Sequence, residues 1–149
     1  MRELDEVDRA ILTILQTEGR VSFRELARRV HLSPAAATAR VHALEEAGVI
    51  RGYRAELDPA RLGRTVRAFV RLTASAATTR SISLAEEIAR HHPAVREMHQ
   101  VLGDCDVILY VEARDLRELD ALVTDLGRYG STSTTVVVDT IIDGEPLVP

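Results

Sequence analysis

The sequence predicts an α+β protein with an N-terminal helix-turn-helix (winged-helix-like) domain and a C-terminal ferredoxin-like βαββαβ domain. Apolar residues follow helical spacing in the first third of the 149-residue chain, and strand and helix patterns alternate after it. Pro59 and Gly63 separate the two regions. The expected domains are residues 1–52, a linker strand over residues 53–63, and residues 64–149.

Three helices are predicted in the first domain. Residues 7–15 place apolar side chains at helical spacing. Ser22 and Glu25 have the spacing of a capping box at the start of the second helix. Ser33 followed by Pro34 is typical of a third helix start, because proline at the first helical position loses no needed N–H group.

The short connection between the second and third helices predicts a steep crossing. Only His31 and Leu32 separate the second helix from the cap of the third, which is the helix-turn-helix arrangement. This favours DNA binding, although an αα-corner without a DNA role has the same pattern. Residues 20–54 hold seven arginines and three glutamates, a net charge of +4 in a chain of net charge −4. Such a segment can neutralise phosphates or can be a solvated helical surface.

The second domain is predicted to alternate strands and helices in the order β-α-β-β-α-β. Right-handed crossovers then place both helices on one face of a four-stranded sheet. The predicted strands are residues 66–72, 95–102, 107–113 and 134–142, and the predicted helices are residues 81–92 and 116–126.

Two strand segments predict burial on both faces of this sheet. Residues 107–111 and 136–138 are apolar on both sides, whereas the two helices cover one face only. A bare apolar face of that size is rare in a monomer. We therefore expect an obligate dimer formed through the sheet domain.

The composition excludes several classes of protein. No apolar stretch exceeds five residues, whereas a bilayer span needs about 20, and the N-terminus is acidic and mixed, unlike a secretory signal. The single cysteine, Cys105, excludes an intramolecular disulfide and a thiolate-rich zinc site, and no basic neighbour activates it as a nucleophile. We expect a cytoplasmic protein without a membrane partner, a metal, a cofactor or catalytic residues.

A series of short motifs runs along nearly the whole chain. They are Leu4-Asp5 with Asp8, Leu32-Ser33-Pro34, Arg40-Val41, Leu44-Glu45, Gly48, Ile50, Gly52-Tyr53, and Gly103 with Asp106 in a G-x-x-D turn. In this order and spacing they resemble the Lrp/AsnC (feast/famine) family of transcription regulators. The resemblance implies a homodimer, often assembled into tetramers or octamers, that binds double-stranded DNA and responds to an amino acid or a related small molecule held between subunits.

The resemblance also implies a DNA-binding surface on the helix-turn-helix. Its expected residues are Ser22, Arg24, Arg28, Ser33, Pro34, Ala35, Thr38, Arg40 and Arg51. The third helix is short of base-reading side chains, and Thr38 and Arg40 are its best candidates, although Arg40 could instead pair with Glu45 or Glu25. We therefore expect affinity to come mainly from arginine–phosphate contacts and from dimer symmetry.

The implied effector site lies around the turn between the second and third strands of the sheet. Its expected residues are Met98, His99, Val101, Gly103, Asp104, Cys105, Asp106, Ser133, Thr134 and Thr135. Asp106 could bind an ammonium group, and the N–H groups of residues 103–105 could bind a carboxylate. A plain hairpin turn remains the alternative reading.

Three features depart from the family pattern, one of which is the shortage of base-reading side chains on the third helix. His31 stands where relatives most often have glycine, and histidine is one of the few side chains enriched at positive φ. Cys105 stands where an aromatic residue is common, which changes the wall of the effector site.

Two other functions remain open beside a sequence-specific regulator. An enzyme resembling siroheme decarboxylases would use His91, His92, His99 and Arg96 to hold a tetrapyrrole, and a Soret band would reveal it. A DNA-organising protein indifferent to small ligands would show no ligand-dependent shift in assembly or melting. The regulator, rather than an enzyme, is the interpretation the motifs favour.

Overall fold

The computed structural model describes residues 3–74, 79–142, 144, 146 and 147, except for the side chains of residues 79–81. The chain divides into two compact units. The helix-turn-helix unit contains the described residues up to Glu56 and from Ile142 onward, and the sheet unit contains Leu57–Ile141. The predicted second domain included residues 142–149, so the division differs there. Within the described residues, no helix is both long and apolar enough to cross a bilayer.

Three helices form the helix-turn-helix unit, as predicted: α1 (Glu6–Thr17), α2 (Phe23–Arg29) and α3 (Pro34–Glu46). A capping box starts α1, because the Asp5 carboxylate accepts from the N–H of Asp8 at 2.8 Å and the Asp8 carboxylate accepts in return from the N–H of Asp5. The buried apolar residues of this unit's core come from all three helices and the α2–α3 turn: Ile11, Leu12, Leu26, Val30, Val41 and Leu44.

The predicted capping box of α2 forms only in part. The Ser22 hydroxyl accepts from the N–H of Glu25 at 3.2 Å, as expected. The Glu25 carboxylate does not return the bond, since it accepts instead from the guanidinium groups of Arg28 and Arg29. Two cations on the same helix therefore outcompete one backbone N–H group.

The turn between α2 and α3 has the backbone that the sequence predicts. His31 adopts φ 55° and is the one non-glycine residue with positive φ among those described. Ser33 caps α3, accepting from the N–H of Ala36 at 3.2 Å, and Pro34 occupies the first turn.

The predicted linker strand over residues 53–63 is wrong. Residues 51–58 have no regular secondary structure, and Ala60–Leu62 form a short 3-10 turn that ends at Gly63 with φ 75°. Among the described residues no neighbouring strand pairs with this segment, so a strand here would have no ladder to join. Pro59 then fixes a turn backbone where the strand would continue.

The sheet unit has the predicted βαββαβ order. Its elements are β1 (Val66–Ala74), α4 (Thr79–His91), β2 (Val95–Gln100), β3 (Val107–Ala113), α5 (Leu116–Leu126) and β4 (Gly130–Val136). All strand pairs are antiparallel, and the strand order is β2-β3-β1-β4. This is the ferredoxin-like arrangement.

The two faces of the sheet differ in chemistry. One face packs against α4 and α5 in a wholly apolar core, whose strand residues are Ala68, Val70, Leu72, Val107, Leu109, Val111 and Ala113. The opposite face, called the open face below, carries the alternate residues of the strands: Arg67, Phe69 and Arg71 of β1 with Ile108, Tyr110 and Glu112 of β3. Both helices lie on the first face, as predicted.

The last strand begins and ends earlier than predicted. The prediction was residues 134–142, whereas β4 covers Gly130–Val136. Val136 pairs with Ala68, close to the start of β1, and the N–H of Val137 makes one further bond to the Arg67 carbonyl. No further backbone bond to β1 follows among the described residues, and the apolar residues after Val137 lie outside the strand.

Candidate functional site

The two predicted serines of the DNA-binding surface cap helices. The hydroxyls of Ser22 and Ser33 each accept from a backbone N–H three residues later. Arg24, Pro34 and Ala35 are exposed beside them. The start of α3 therefore presents a small, rigid surface with few polar side chains.

The arginines of residues 20–54 fall into two groups. Arg28 pairs with Glu25 at 2.7 Å, and Arg29 pairs with Glu18 at 2.5 Å and with Glu25 at 2.9 Å. Arg28 first, and then Arg29, lowers the pKa of the Glu25 carboxyl to about 2. Four arginines lack a carboxylate partner in the described part of the chain: Arg20, Arg24, Arg51 and Arg54. About half of the basic segment is therefore available to phosphates.

Arg40 lies in an ion-pair cluster with the start of α1. Its Nη1 group donates to the Asp5 carboxylate at 2.5 Å and to the Asp8 carboxylate at 2.9 Å. The Asp8 side chain is fully buried, and the Arg40 side chain is about one-third exposed. The N–H of Asp8, and then Arg40, hold the pKa of the Asp5 carboxyl below its usual value. These partners differ from the Glu45 or Glu25 considered from the sequence, because the start of α1 lies beside Arg40 of α3. The cluster gives Arg40 a structural role.

Thr38 also makes an intrahelical bond. Its hydroxyl donates to the Pro34 carbonyl at 2.8 Å. His42 is exposed one turn further along α3, and its ring packs edge-on against Phe23 of α2 with centroids 6.5 Å apart. The Thr38 hydroxyl and the His42 ring, two polar groups of α3, thus both make contacts within this unit.

The turn between β2 and β3, residues 101–106, is called the effector turn below. Asp106 anchors it, because its carboxylate Oδ2 accepts from the N–H of Ala74 at 2.8 Å and its own N–H donates to the Leu72 carbonyl at 3.0 Å. The N–H of Val101 donates to the Asp106 carbonyl at 2.9 Å. Asp106 thus ties the turn to the end of β1.

The tip of the effector turn has unused backbone donors. Gly103 adopts φ 153°, a conformation that side chains rarely allow. The N–H groups of residues 103–105 donate to no group in the described chain, while the Asp104 carbonyl accepts a long bond from the Thr73 hydroxyl. Cys105 is half-buried beside them.

The other predicted effector residues divide between the two faces of the sheet. His99 pairs with Ile108 on the open face and bonds Glu97, and Ser133 and Thr135 also lie there, opposite Arg71 and Phe69. Two residues lie on the helix-covered face instead: Met98, which packs against the core, and Thr134, opposite Val70. The sequence-based set therefore does not form one continuous surface within a single chain.

Comparisons with known families match both units. Residues 4–51 match the winged helix-turn-helix DNA-binding family, and residues 67–147 match the Lrp/AsnC ligand binding domain family. The chain belongs to the Lrp/AsnC family of transcription regulators. The helix-turn-helix is its DNA-binding domain, and the sheet unit carries its ligand-binding domain.

Individual Lrp/AsnC relatives align along most of the chain. The Bkd operon transcriptional regulator of Pseudomonas aeruginosa is 38% identical over 125 residues, which are 84% of this chain and 82% of that protein. The leucine-responsive regulatory protein of Escherichia coli is 32% identical over 151 residues, with 99% and 92% covered. A Neisseria meningitidis transcriptional regulator, solved with L-methionine, has a TM-score of 0.89 at 28% identity and covers 97% of this chain and 96% of its own.

The structure explains why separate Lrp/AsnC motifs occur together in this chain. Asp5 and Asp8 belong to the first motif and Arg40 to a later one, and the fold joins them in the cluster described above. The sequence did not indicate the pairing of Arg40 with Asp5 and Asp8, because contacts more than 30 residues apart leave no local pattern. The expected DNA-binding residues also leave out Arg20 and Arg54, for which the described residues include no carboxylate partner.

Proposed function

We propose that this Lrp/AsnC regulator binds an amino acid, or a similar small zwitterion, at the effector turn and acts on DNA as a homodimer or larger assembly. The observation that carries the proposal is the run of unused N–H groups at residues 103–105 beside the anchored carboxylate of Asp106. Its chemistry fits both ends of a zwitterion.

The two ends of the ligand have separate partners. Consecutive N–H groups form a small nest that attracts a carboxylate, and Gly103 lets a ligand approach the backbone because no side chain stands there. One Asp106 oxygen holds the N–H of Ala74, and the other has no hydrogen-bond partner among the described residues. That oxygen is available to an ammonium group. The L-methionine complex of the Neisseria relative and the name of the leucine-responsive one support an amino-acid effector.

The open face supports self-association. Phe69 is 45% exposed there and packs against Tyr110, with ring centroids 5.3 Å apart. Glu112 beside them is 15% exposed and pairs with Arg96 at 3.1 Å. An aromatic pair bordered by satisfied charges suits a second copy of the same face, since an isologous contact repeats each pairing twice.

DNA binding is proposed to rest on the unpaired arginines and on symmetry. Arg24 and Arg51 are exposed and have no carboxylate partner in the described chain. A dimer would present two helix-turn-helix units to half-sites about 34–36 Å apart. With few base-reading side chains on α3, sequence preference would come largely from DNA deformability.

A catalytic role receives no support from the relatives, which are named as regulators. Of the four residues considered for a tetrapyrrole enzyme, His91 bonds the Glu87 carbonyl and His99 bonds Glu97. Absence of a Soret band after siroheme is added to the purified protein would agree with a regulator.

Thermal denaturation with each of the twenty amino acids tests the effector. A ligand that binds only the folded state adds about 2.7 kcal/mol of stability at 100 times its dissociation constant. Gly103→Val should abolish that shift, because the side chain would block the nest, while Asp104→Asn should retain it. A thermal shift that persists in Gly103→Val would show that the ligand binds at another site. No shift with any amino acid would favour a DNA-organising protein.

The salt dependence of DNA binding tests the arginine contacts. Arg24→Ala and Arg51→Ala should each reduce the log–log salt slope by about 1, the loss of one phosphate contact. Arg28→Ala is the matched control, since Glu25 already neutralises that arginine. The slopes are measured by fluorescence anisotropy titrations. Slopes equal to that of the wild type in Arg24→Ala and Arg51→Ala would refute the proposed contacts.

A further inference from the structure

One side of α3 is exposed along most of the helix. Ala35, Ala39 and His42 are exposed and lie three or four residues apart, so they share this side. The residues buried on the opposite side are Ala37, Val41 and Leu44. Alanine side chains are short, so this side of α3 can approach a DNA groove closely. His42 is the one of the three exposed residues whose side chain extends beyond its Cβ atom.

The other hydrogen-bond donors among the α3 side chains are already used. Thr38 donates its hydroxyl to the Pro34 carbonyl, and Arg40 is held by the two carboxylates of the ion-pair cluster. The last two polar side chains of the helix are glutamates, which accept hydrogen bonds rather than donate them. Neither ring nitrogen of His42 has a hydrogen-bond partner among the described residues. His42 therefore carries a ring N–H group that can donate to a ligand.

The His42 ring has a defined neighbour on α2. It packs edge-on against Phe23, with the ring centroids 6.5 Å apart and the ring planes at 87°. Phe23 is 43% exposed, so the two rings meet at the surface. The next residue, Arg24, is exposed and has no carboxylate partner in the described chain. The ring thus lies near an arginine proposed to contact a phosphate, and its contact with Phe23 reduces the side-chain freedom that binding would remove.

We propose that His42 reads a purine in the major groove by donating its ring N–H group to the N7 atom. A neutral imidazole has one N–H donor in either tautomer. Guanine and adenine both present N7 as an acceptor in the major groove, and pyrimidines lack it. A homodimer would place one His42 at each half-site, so the purine preference would occur twice. The inference rests on the proposed DNA binding and adds a base contact to it.

Replacement of N7 by carbon tests this contact directly. A preferred duplex is first selected with the wild-type protein from a randomised pool, and each of its purines is then replaced in turn by the 7-deaza form, which retains Watson–Crick pairing. At the purine that His42 contacts, the replacement should weaken binding by about five- to tenfold per half-site, the loss of one hydrogen bond. The same series identifies that purine as guanine or adenine.

His42→Phe removes both ring nitrogens and keeps an aromatic ring beside Phe23. This variant should bind the natural duplex and the duplex substituted at the contacted purine with equal affinity. Its log–log salt slope should equal that of the wild type, because a base contact releases no phosphate counterion. His31→Asn is the matched control, since it replaces another exposed histidine of this unit and asparagine also tolerates positive φ. It should lose affinity for the substituted duplex as the wild type does.

The remaining outcomes overturn the inference. One is a His42→Phe variant that keeps every 7-deaza effect of the wild type, and another is a wild-type protein without any such effect. A salt slope reduced by about 1 in His42→Phe would place the ring on a phosphate instead of a base. If the wild-type protein binds DNA but selects no sequence, DNA binding stands and the base contact fails. If it binds no duplex, both fail.

Discussion

The helix-turn-helix unit and the sheet unit are stabilised in different ways. The first places a fully buried carboxylate, Asp8, at the end of a small apolar core and pairs it with an arginine from another helix. The second has a larger core, and all of its buried residues among those described are apolar. The DNA-binding unit therefore depends on a few polar contacts, whereas the ligand-binding unit depends on close backbone packing. Mutations that remove a polar contact should therefore destabilise the first unit, and mutations that disturb backbone packing should destabilise the second.

Gly130, where β4 passes close to the backbone of β1, should be the most sensitive of the described glycines. A Cβ atom added at Gly130 would lie 2.1 Å from the carbonyl oxygen of Thr73 and 2.8 Å from the Cα of Ala74. Both neighbours are backbone atoms, so β4 would have to move away from β1. We expect Gly130→Ala to lower the free energy of unfolding by about 3 kcal/mol, at the upper end for overpacking, in urea denaturation.

Ser131→Ala provides the control on the same strand, since Ser131 is exposed and its change adds no atoms. If Gly130→Ala unfolds at the urea concentration of the wild type, β4 is not held by close packing. The contrast between the two units would then disappear.

The polar dependence of the helix-turn-helix unit is tested at Asp8. Asp8→Ala removes the return bond of the α1 capping box and the buried partner of Arg40. We expect a loss of about 2 kcal/mol, from a lost cap and a lost charged hydrogen bond. Arg40→Ala should also destabilise the unit, and more than Arg28→Ala, whose pair with Glu25 is exposed.

DNA titrations of Arg40→Ala under conditions where it remains folded complete this test. The ion-pair cluster predicts affinity close to that of the wild type. A large and sequence-dependent loss of affinity in a folded variant would instead assign Arg40 to base reading.

Local patterns in the sequence predict most of this fold. Ser33-Pro34 starts α3 and the alternation of residues 66–72 marks β1, because caps and strand faces depend on neighbours in the chain. The end of β4 and the partners of Arg40 were not predictable in this way. Both depend on where a distant element begins, β1 in one case and α1 in the other. The same limit applies to the effector residues, which the strand register divides between two faces.

The positive φ of His31 gives a smaller effect with a sign that can be tested. Glycine adopts φ 55° without side-chain strain, whereas a β-branched residue does so at a cost. We expect His31→Gly to raise the free energy of unfolding by about 0.5 kcal/mol and His31→Val to lower it by about 1 kcal/mol. Chemical denaturation measures the free energy of unfolding of each variant. Equal changes in His31→Gly and His31→Val would show that the positive φ at this position does not cost stability.

Acid should weaken the helix-turn-helix unit before the sheet unit. Hydrogen bonds and arginines lower the pKa of Asp5, Glu18 and Glu25, the last to about 2. In the sheet unit, Glu118 is the described carboxyl with a lowered pKa, mainly through the N–H of Arg114.

A carboxyl with a lowered pKa in the folded state contributes stability above its unfolded value near 4.5, and that contribution is lost as the pH falls through the folded value. The effect is small because these pairs are exposed and screened. Between pH 4.5 and about 2, protection factors corrected for the intrinsic exchange rate should therefore fall in α1 and α2, while those of β1 and β3 are maintained. Simultaneous loss of protection in both would mean that the two units unfold as one, and the ion pairs of the first would no longer account for its sensitivity.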